Sequence, residues 1–148
     1  MLRLRQDDQA RLTYKGASSK AEGVLSRAEI EFTVEDFDKA KQFLESLGYV
    51  HLIFYEKYRT TYELNDTHIM LDEMPYGDFI EIEGESIESI REIAGKLSLR
   101  WEAAVAASYH ALFERVAEER GLDRTQLTFA VFAQGQPGAE ELSVTTAD

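Results

Sequence analysis

The chain has 148 residues, 44% of them hydrophobic and 30% charged, a composition that suits one globular domain with a real core. It contains no cysteine, which excludes disulfides and thiolate metal sites, and its net charge of −12 argues against nucleic acid as a bulk electrostatic partner. No apolar run is long enough to span a membrane and no secretory leader is legible, so a cytoplasmic protein is expected.

Leu2–Arg5 alternates as a short strand, and residues 6–9 read as a turn. Arg11–Lys15 is a second strand with Leu12 and Tyr14 on one face, so that the hairpin's polar face carries Arg3, Arg5 and Lys15. Gly16–Gly23 is small and polar and reads as a loop. A longer strand follows over Val24–Val34, with Arg27, Glu29 and Glu31 on one face and Ala28, Ile30 and Phe32 on the other. Glu35-Asp36 starts a helix in which Phe37, Ala40, Phe43, Leu44 and Leu47 recur at helical spacing as expected core contacts, and Gly48 ends it.

Tyr49–Leu64 is β-rich, and Lys57 and Arg59, two apart, share a face. After a turn at Asn65-Asp66 comes a hairpin over His68–Glu83, with Pro75 and Gly77 at its tip. Its second strand sets Ile80 and Ile82 against Phe79, Glu81 and Glu83. Ser86–Leu97 is an amphipathic helix with Ser86 as N-cap and Ser89 three positions on, where a capping box would carry Glu or Gln. A further helix is expected over Arg100–Glu119, with Tyr109 among its inward residues, and an apolar run over Leu127–Ala133. The domain is expected to span residues 1–133, with 134–148 a disordered tail.

Charge is segregated along the chain. Ten of the sixteen Lys and Arg residues lie in residues 1–60, while nine carboxylates and no Lys or Arg lie between Thr60 and Ile90. Nearly every strand has one apolar and one charged face, so the economical packing is a sheet covered by helices on its apolar face. The charged face is either an ordinary solvated surface or, if the strands curl, the lining of a bore. A bore lined by both signs suits a polyphosphate with a divalent cation.

The pieces Leu2-Arg3-Leu4-Arg5, Leu12-Thr13-Tyr14-Lys15-Gly16, Arg27-Ala28-Glu29-Ile30-Glu31, Lys57-Tyr58-Arg59, Leu71-Asp72-Glu73 and Gly77-Asp78-Phe79-Ile80-Glu81-Ile82-Glu83-Gly84 stand in the order and spacing of the CYTH family of triphosphate tunnel metalloenzymes, which the chain resembles over residues 2–84. That resemblance implies an α+β fold: an antiparallel β-barrel with a polar bore and flanking helices, binding a triphosphate (ATP, thiamine triphosphate or tripolyphosphate) with Mg²⁺ or Mn²⁺. It implies either class IV adenylyl cyclase or triphosphatase activity, the alternative being a weakly catalytic or non-catalytic polyphosphate-binding module. By motif, Arg3, Arg5, Lys15, Arg27, Lys57 and Arg59 would contact phosphates, and Glu81 and Glu83 would be the metal ligands. Glu29, Glu31 and Asp72 would act in catalysis, orienting metal or water, or would hold the basic residues in place. The family's opening Glu-x-Glu-x-Lys strand has no counterpart before Leu2. The barrel is therefore expected to be open or incomplete by two strands, with homodimerisation across the exposed edge as one remedy. If the cavity charges serve a ligand and not stability, Arg59→Ala should leave the fold intact.

Overall fold

A computed structural model describes residues 1–147 and divides the chain into two compact units: residues 1–21 with 25–52, and residues 22–24 with 53 onward. The structure is mixed α+β, with antiparallel sheets and flanking helices, and its strands do not close into one barrel. They form two three-stranded antiparallel sheets and one two-stranded parallel pair.

In the first unit the sheet order is β1 (Leu2–Gln6), β2 (Ala10–Ala21), β3 (Val24–Val34). The β1–β2 register sets Arg3 opposite Thr13 and Leu4 opposite Leu12, so the polar and apolar faces of the hairpin separate as alternation requires. The loop expected at Gly16–Gly23 is instead the continuation of β2. Its small residues pair with β3, and the chain reverses in two residues, Glu22 (φ 49°) and Gly23 (φ 84°), both in the left-handed conformation of a tight hairpin turn. Helix α1 (Phe37–Ser46) is capped by Asp36, whose carboxylate accepts from the Lys39 N–H. The aromatics expected in its core stripe are not buried. Phe37, Ala40 and Leu44 are half-covered, whereas Phe43 and Leu47 at the stripe's edge remain 63% and 60% exposed.

In the second unit β5 (Tyr58–Leu64), β6 (Thr67–Met74) and β7 (Gly77–Glu83) make an antiparallel meander. The β-rich run before Leu64 is broken, because the two-residue strand β4 (Phe54–Tyr55) leaves this sheet to pair in parallel with β8 (Gln126–Leu127). Helix α2 (Ile87–Lys96) begins with a reciprocal cap. Ser86 Oγ accepts from Ser89 N–H, and Ser89 Oγ accepts from Ser86 N–H, so serine fills the place where Glu or Gln is usual. The long helix expected from Arg100 is interrupted. A 3₁₀ turn at Trp101–Ala103 gives way to extended backbone, and α3 (Tyr109–Arg120) starts afresh where Ser108 caps the Ala111 N–H.

The core gathers Met74, Tyr76, Leu112, Phe113, Val116, Ala117, Leu127, Phe132 and Leu142. Leu142 belongs to α4 (Ala139–Leu142), inside the segment expected to be a disordered tail. It is 5% exposed against this cluster, and Asp148 lies outside the described residues. The sheet is also covered differently from expectation. Met74 and Phe79, on the charged face, pack with the α3 core, while Leu71 and Ile80, on the apolar face, stay 41% and 46% exposed. A sheet face can carry charges along one stretch and core contacts along the next, because burial follows which helix lies over each end.

Candidate functional site

The charged residues singled out by alternation fall into two groups, one in each unit. In the first unit β1, β2 and β3 present Arg3, Arg5, Thr13, Lys15, Arg27, Glu29 and Glu31. Lys15 Nζ and Arg27 Nε both donate to Glu29 Oε1, each at 2.7 Å. Arg3 Nη2 donates to Glu31 Oε2 at 3.3 Å, and Arg5 Nη2 lies 3.9 Å from Glu31 Oε1. Glu29 thus serves two cations, and Glu31 shares Arg5 with Asp7, whose Oδ2 is the nearer partner at 3.0 Å from Arg5 Nε. Thr13, fully buried, donates its hydroxyl to Glu31 at 2.6 Å and accepts from Arg3 at 3.3 Å.

The electrostatics follow from this sharing. Burial pushes the Lys15 amine below its ordinary pKa, and the neighbouring charges of Arg3 and Arg27 add to the shift, against the opposing pull of Glu29. Burial would raise Glu29, but the hydrogen bonds from Lys15 and Arg27 outweigh it and hold the carboxyl low. Glu31 is held low first by the Thr13 hydroxyl and then by Arg5 and Arg3.

The second group is built on β5, β6 and β7, with one residue from α3. The register places Arg59 directly opposite Asp72 and Met70 opposite Glu81. Asp72, with no exposed side-chain surface, accepts four hydrogen bonds: from Lys57 Nζ (2.8 Å), Arg59 Nε (2.6 Å), Arg59 Nη2 (2.5 Å) and the Tyr109 hydroxyl (2.8 Å). Arg59 also pairs with Glu81, whose side chain is 37% exposed. Burial alone would raise the Asp72 carboxyl. The bonds from Arg59, Lys57 and Tyr109 overcome it and pull the pKa down to about 2. Lys57 is lowered chiefly by its burial, in part offset by Asp72. The Tyr109 hydroxyl is driven well above its usual range by burial and by the charges of Glu81 and Asp72.

The structure therefore brings Lys57, Arg59, Asp72 and Glu81 together, and separately groups Arg3, Arg5, Lys15 and Arg27 with Glu29 and Glu31. Glu83 lies on the Glu81 face of β7 by alternation and is exposed. Two residues escaped the sequence reading. Thr13 could have been found, since it alternates on the face of Arg3 and Lys15. Tyr109 carries no local signal, because its role depends on α3 folding back over a strand 37 residues earlier.

A hard divalent cation takes an oxygen shell with several carboxylates. Among the described residues no three His, Asp or Glu side chains converge on such a site. Glu29, Glu31, Asp72 and Glu81 are each engaged by Lys or Arg. In this arrangement they do not make a metal centre of their own. No helix among the described residues is long and apolar enough to cross a membrane.

The structure is similar to that of the PH1012 protein from Pyrococcus horikoshii OT3, with a TM-score of 0.66 and 27% identity over 73% of this chain and 71% of that one. It is similar as well to a conserved hypothetical protein from Pyrococcus furiosus, with a TM-score of 0.59 and 28% identity over 68% of this chain and 65% of that one. No curated protein matches. The CYTH domain family model matches residues 1–123, and the chain accordingly belongs to the CYTH family, a metalloenzyme family whose fold binds triphosphates.

Proposed function

We propose that this chain binds a triphosphate anion, as ATP, thiamine triphosphate or inorganic tripolyphosphate, with Arg3, Arg5, Lys15 and Arg27 as one phosphate-contacting group and Lys57 and Arg59 as another. The observation that carries the reading is the gathering of cations in the first group: Lys15 and Arg27 share Glu29, Arg3 pairs with Glu31, and Arg5 lies between Asp7 at 3.0 Å and Glu31 at 3.9 Å. A protein with a net charge of −12 has no need to gather four cations on one sheet face for solubility. Charge-assisted bonds to phosphate oxygens are the natural use of such donors.

Glu29, Glu31 and Asp72 serve on this reading to hold the cations in place. The triphosphate is taken as its Mg²⁺ or Mn²⁺ complex. Whether it is then hydrolysed, as by a triphosphatase, or cyclised, as by a class IV adenylyl cyclase, is the finer question. Because each central carboxylate is engaged by a cation, a binding module with weak turnover is the favoured form. Homodimerisation is part of the same proposal, since β1 forms an edge of its sheet.

Calorimetric titration of tripolyphosphate and ATP, with and without Mg²⁺, tests binding. Saturable binding that weakens as salt rises is expected, with Lys15→Ala about tenfold weaker. Absence of saturable tripolyphosphate binding at low salt would overturn the reading. Phosphate- and pyrophosphate-release assays separate hydrolase, cyclase and module, and light scattering decides the dimer.

A further inference from the structure

We propose that Tyr109 is a positioning residue for the Lys57–Arg59 pair: its hydroxyl meets both cations at Asp72 Oδ2, and that shared contact fixes them for a polyphosphate ligand. The inference rests on the proposed triphosphate reading and deepens it, because it assigns a role to an α3 residue that the phosphate-contacting groups do not include.

A carboxylate offers about four acceptor positions. Asp72 accepts four bonds unevenly: Lys57 Nζ, Arg59 Nη2 and the Tyr109 hydroxyl meet at Oδ2, and Arg59 Nε alone takes Oδ1. Tyr109 reaches the shell a second way, since Lys57 Nζ lies 5.2 Å from its ring centroid, over the face. The ring is itself held. Phe79, opposite Asp72 in the β6–β7 register, meets it edge-on with centroids 5.3 Å apart. The Tyr76 hydroxyl donates to the Tyr109 backbone carbonyl at 2.9 Å, and Tyr76 is fully buried in the core. Tyr109 is thus anchored through ring and backbone independently of its hydroxyl. The hydroxyl is what joins the packed core to the charged cluster. Without it Asp72 retains only donors on the flexible Lys57 and Arg59 side chains, and their ordering would fall to the arriving ligand.

The test compares wild type, Tyr109→Phe, Lys57→Ala and the double variant by calorimetric titration with tripolyphosphate in the absence of metal. Tyr109→Phe should bind about three- to tenfold more weakly than wild type. In the Lys57→Ala background the same change should cost less than it does in wild type, because only its effect on Arg59 remains. An unchanged affinity in Tyr109→Phe, or an equal loss in both backgrounds, would overturn the proposal. So would a Tm more than about 10 °C lower, which would mark Tyr109 as a stability residue. A wild-type protein without saturable binding would instead overturn the triphosphate reading. A second measurement is independent of ligand: the Lys57 ammonium signal by nitrogen-15 NMR should show faster proton exchange in ligand-free Tyr109→Phe, and an unchanged signal counts against positioning whether or not tripolyphosphate binds.

Discussion

Arg59 holds Asp72 in a two-pronged grip, Nε to Oδ1 at 2.6 Å and Nη2 to Oδ2 at 2.5 Å, while the same guanidinium pairs with the partly exposed Glu81. The two carboxylates differ in what their loss would leave behind. Asp72 is sealed from water, so its partners depend on it, whereas Glu81 can be replaced by solvent.

Asp72→Asn should therefore destabilise the fold by about 2–4 kcal/mol, and Glu81→Gln by under about 1 kcal/mol. Arg59→Ala, harmless to the fold if the cavity charges served a ligand alone, should cost about 1–3 kcal/mol, since it strips two of the four bonds from a buried carboxylate. Urea unfolding of the three variants at neutral pH checks the order. Equal effects for Asp72→Asn and Glu81→Gln would show that burial does not separate them.

The pH dependence has a definite sign. Asp72 has a pKa of about 2 in the folded protein against an ordinary 3.8, so between these values the unfolded chain binds more protons. Its contribution is complete above pH 3.8 and is lost as pH falls through 2. The lowered Glu29 and Glu31 carboxyls add stability of the same sign. Urea midpoints measured from pH 6 down to 2 should fall in this window, and Asp72→Asn should flatten the fall.

Gly84 precedes the α2 cap. A Cβ there would stand 2.7 Å from Ser89 Oγ and 3.2 Å from Ile90 Cγ1, so Gly84→Ala should break the reciprocal Ser86–Ser89 cap and cost about 1–3 kcal/mol. Ser86→Ala alone should cost about 1 kcal/mol. Thermal melts of the two variants distinguish a lost cap from a lost cap with a clash.

Leu142, 5% exposed in the core cluster, tests the C-terminal segment. Leu142→Ala should destabilise by about 2–4 kcal/mol, as for other buried leucines. A disordered tail would give no change in the urea midpoint.

Much of the architecture was legible locally. Period-two alternation assigns Arg3, Thr13 and Lys15 to one face of the first hairpin, and Ile80 and Ile82 to the face opposite Glu81, because a strand allows its side chains no other arrangement. Helix ends were legible where a side chain caps them, as at Asp36 and Ser86. The long β2 strand was misread because Ala, Gly and Ser carry no alternation signal, and only pairing with β3 extends them. The break before α3 was missed because the helical periodicity runs on through a segment whose backbone turns away.

What the amino-acid sequence determined by itself is which side chains share a face and where the charges of each sign accumulate, since those depend on neighbours two to four residues away. Only the tertiary structure decided what the charges do. Alternation puts Lys57, Arg59 and Asp72 within reach, but whether Asp72 is a solvated surface carboxylate or a buried anchor depends on α3 closing over it and bringing Tyr109 across 37 residues of chain. Burial is a property of what packs on top, and no local pattern carries it.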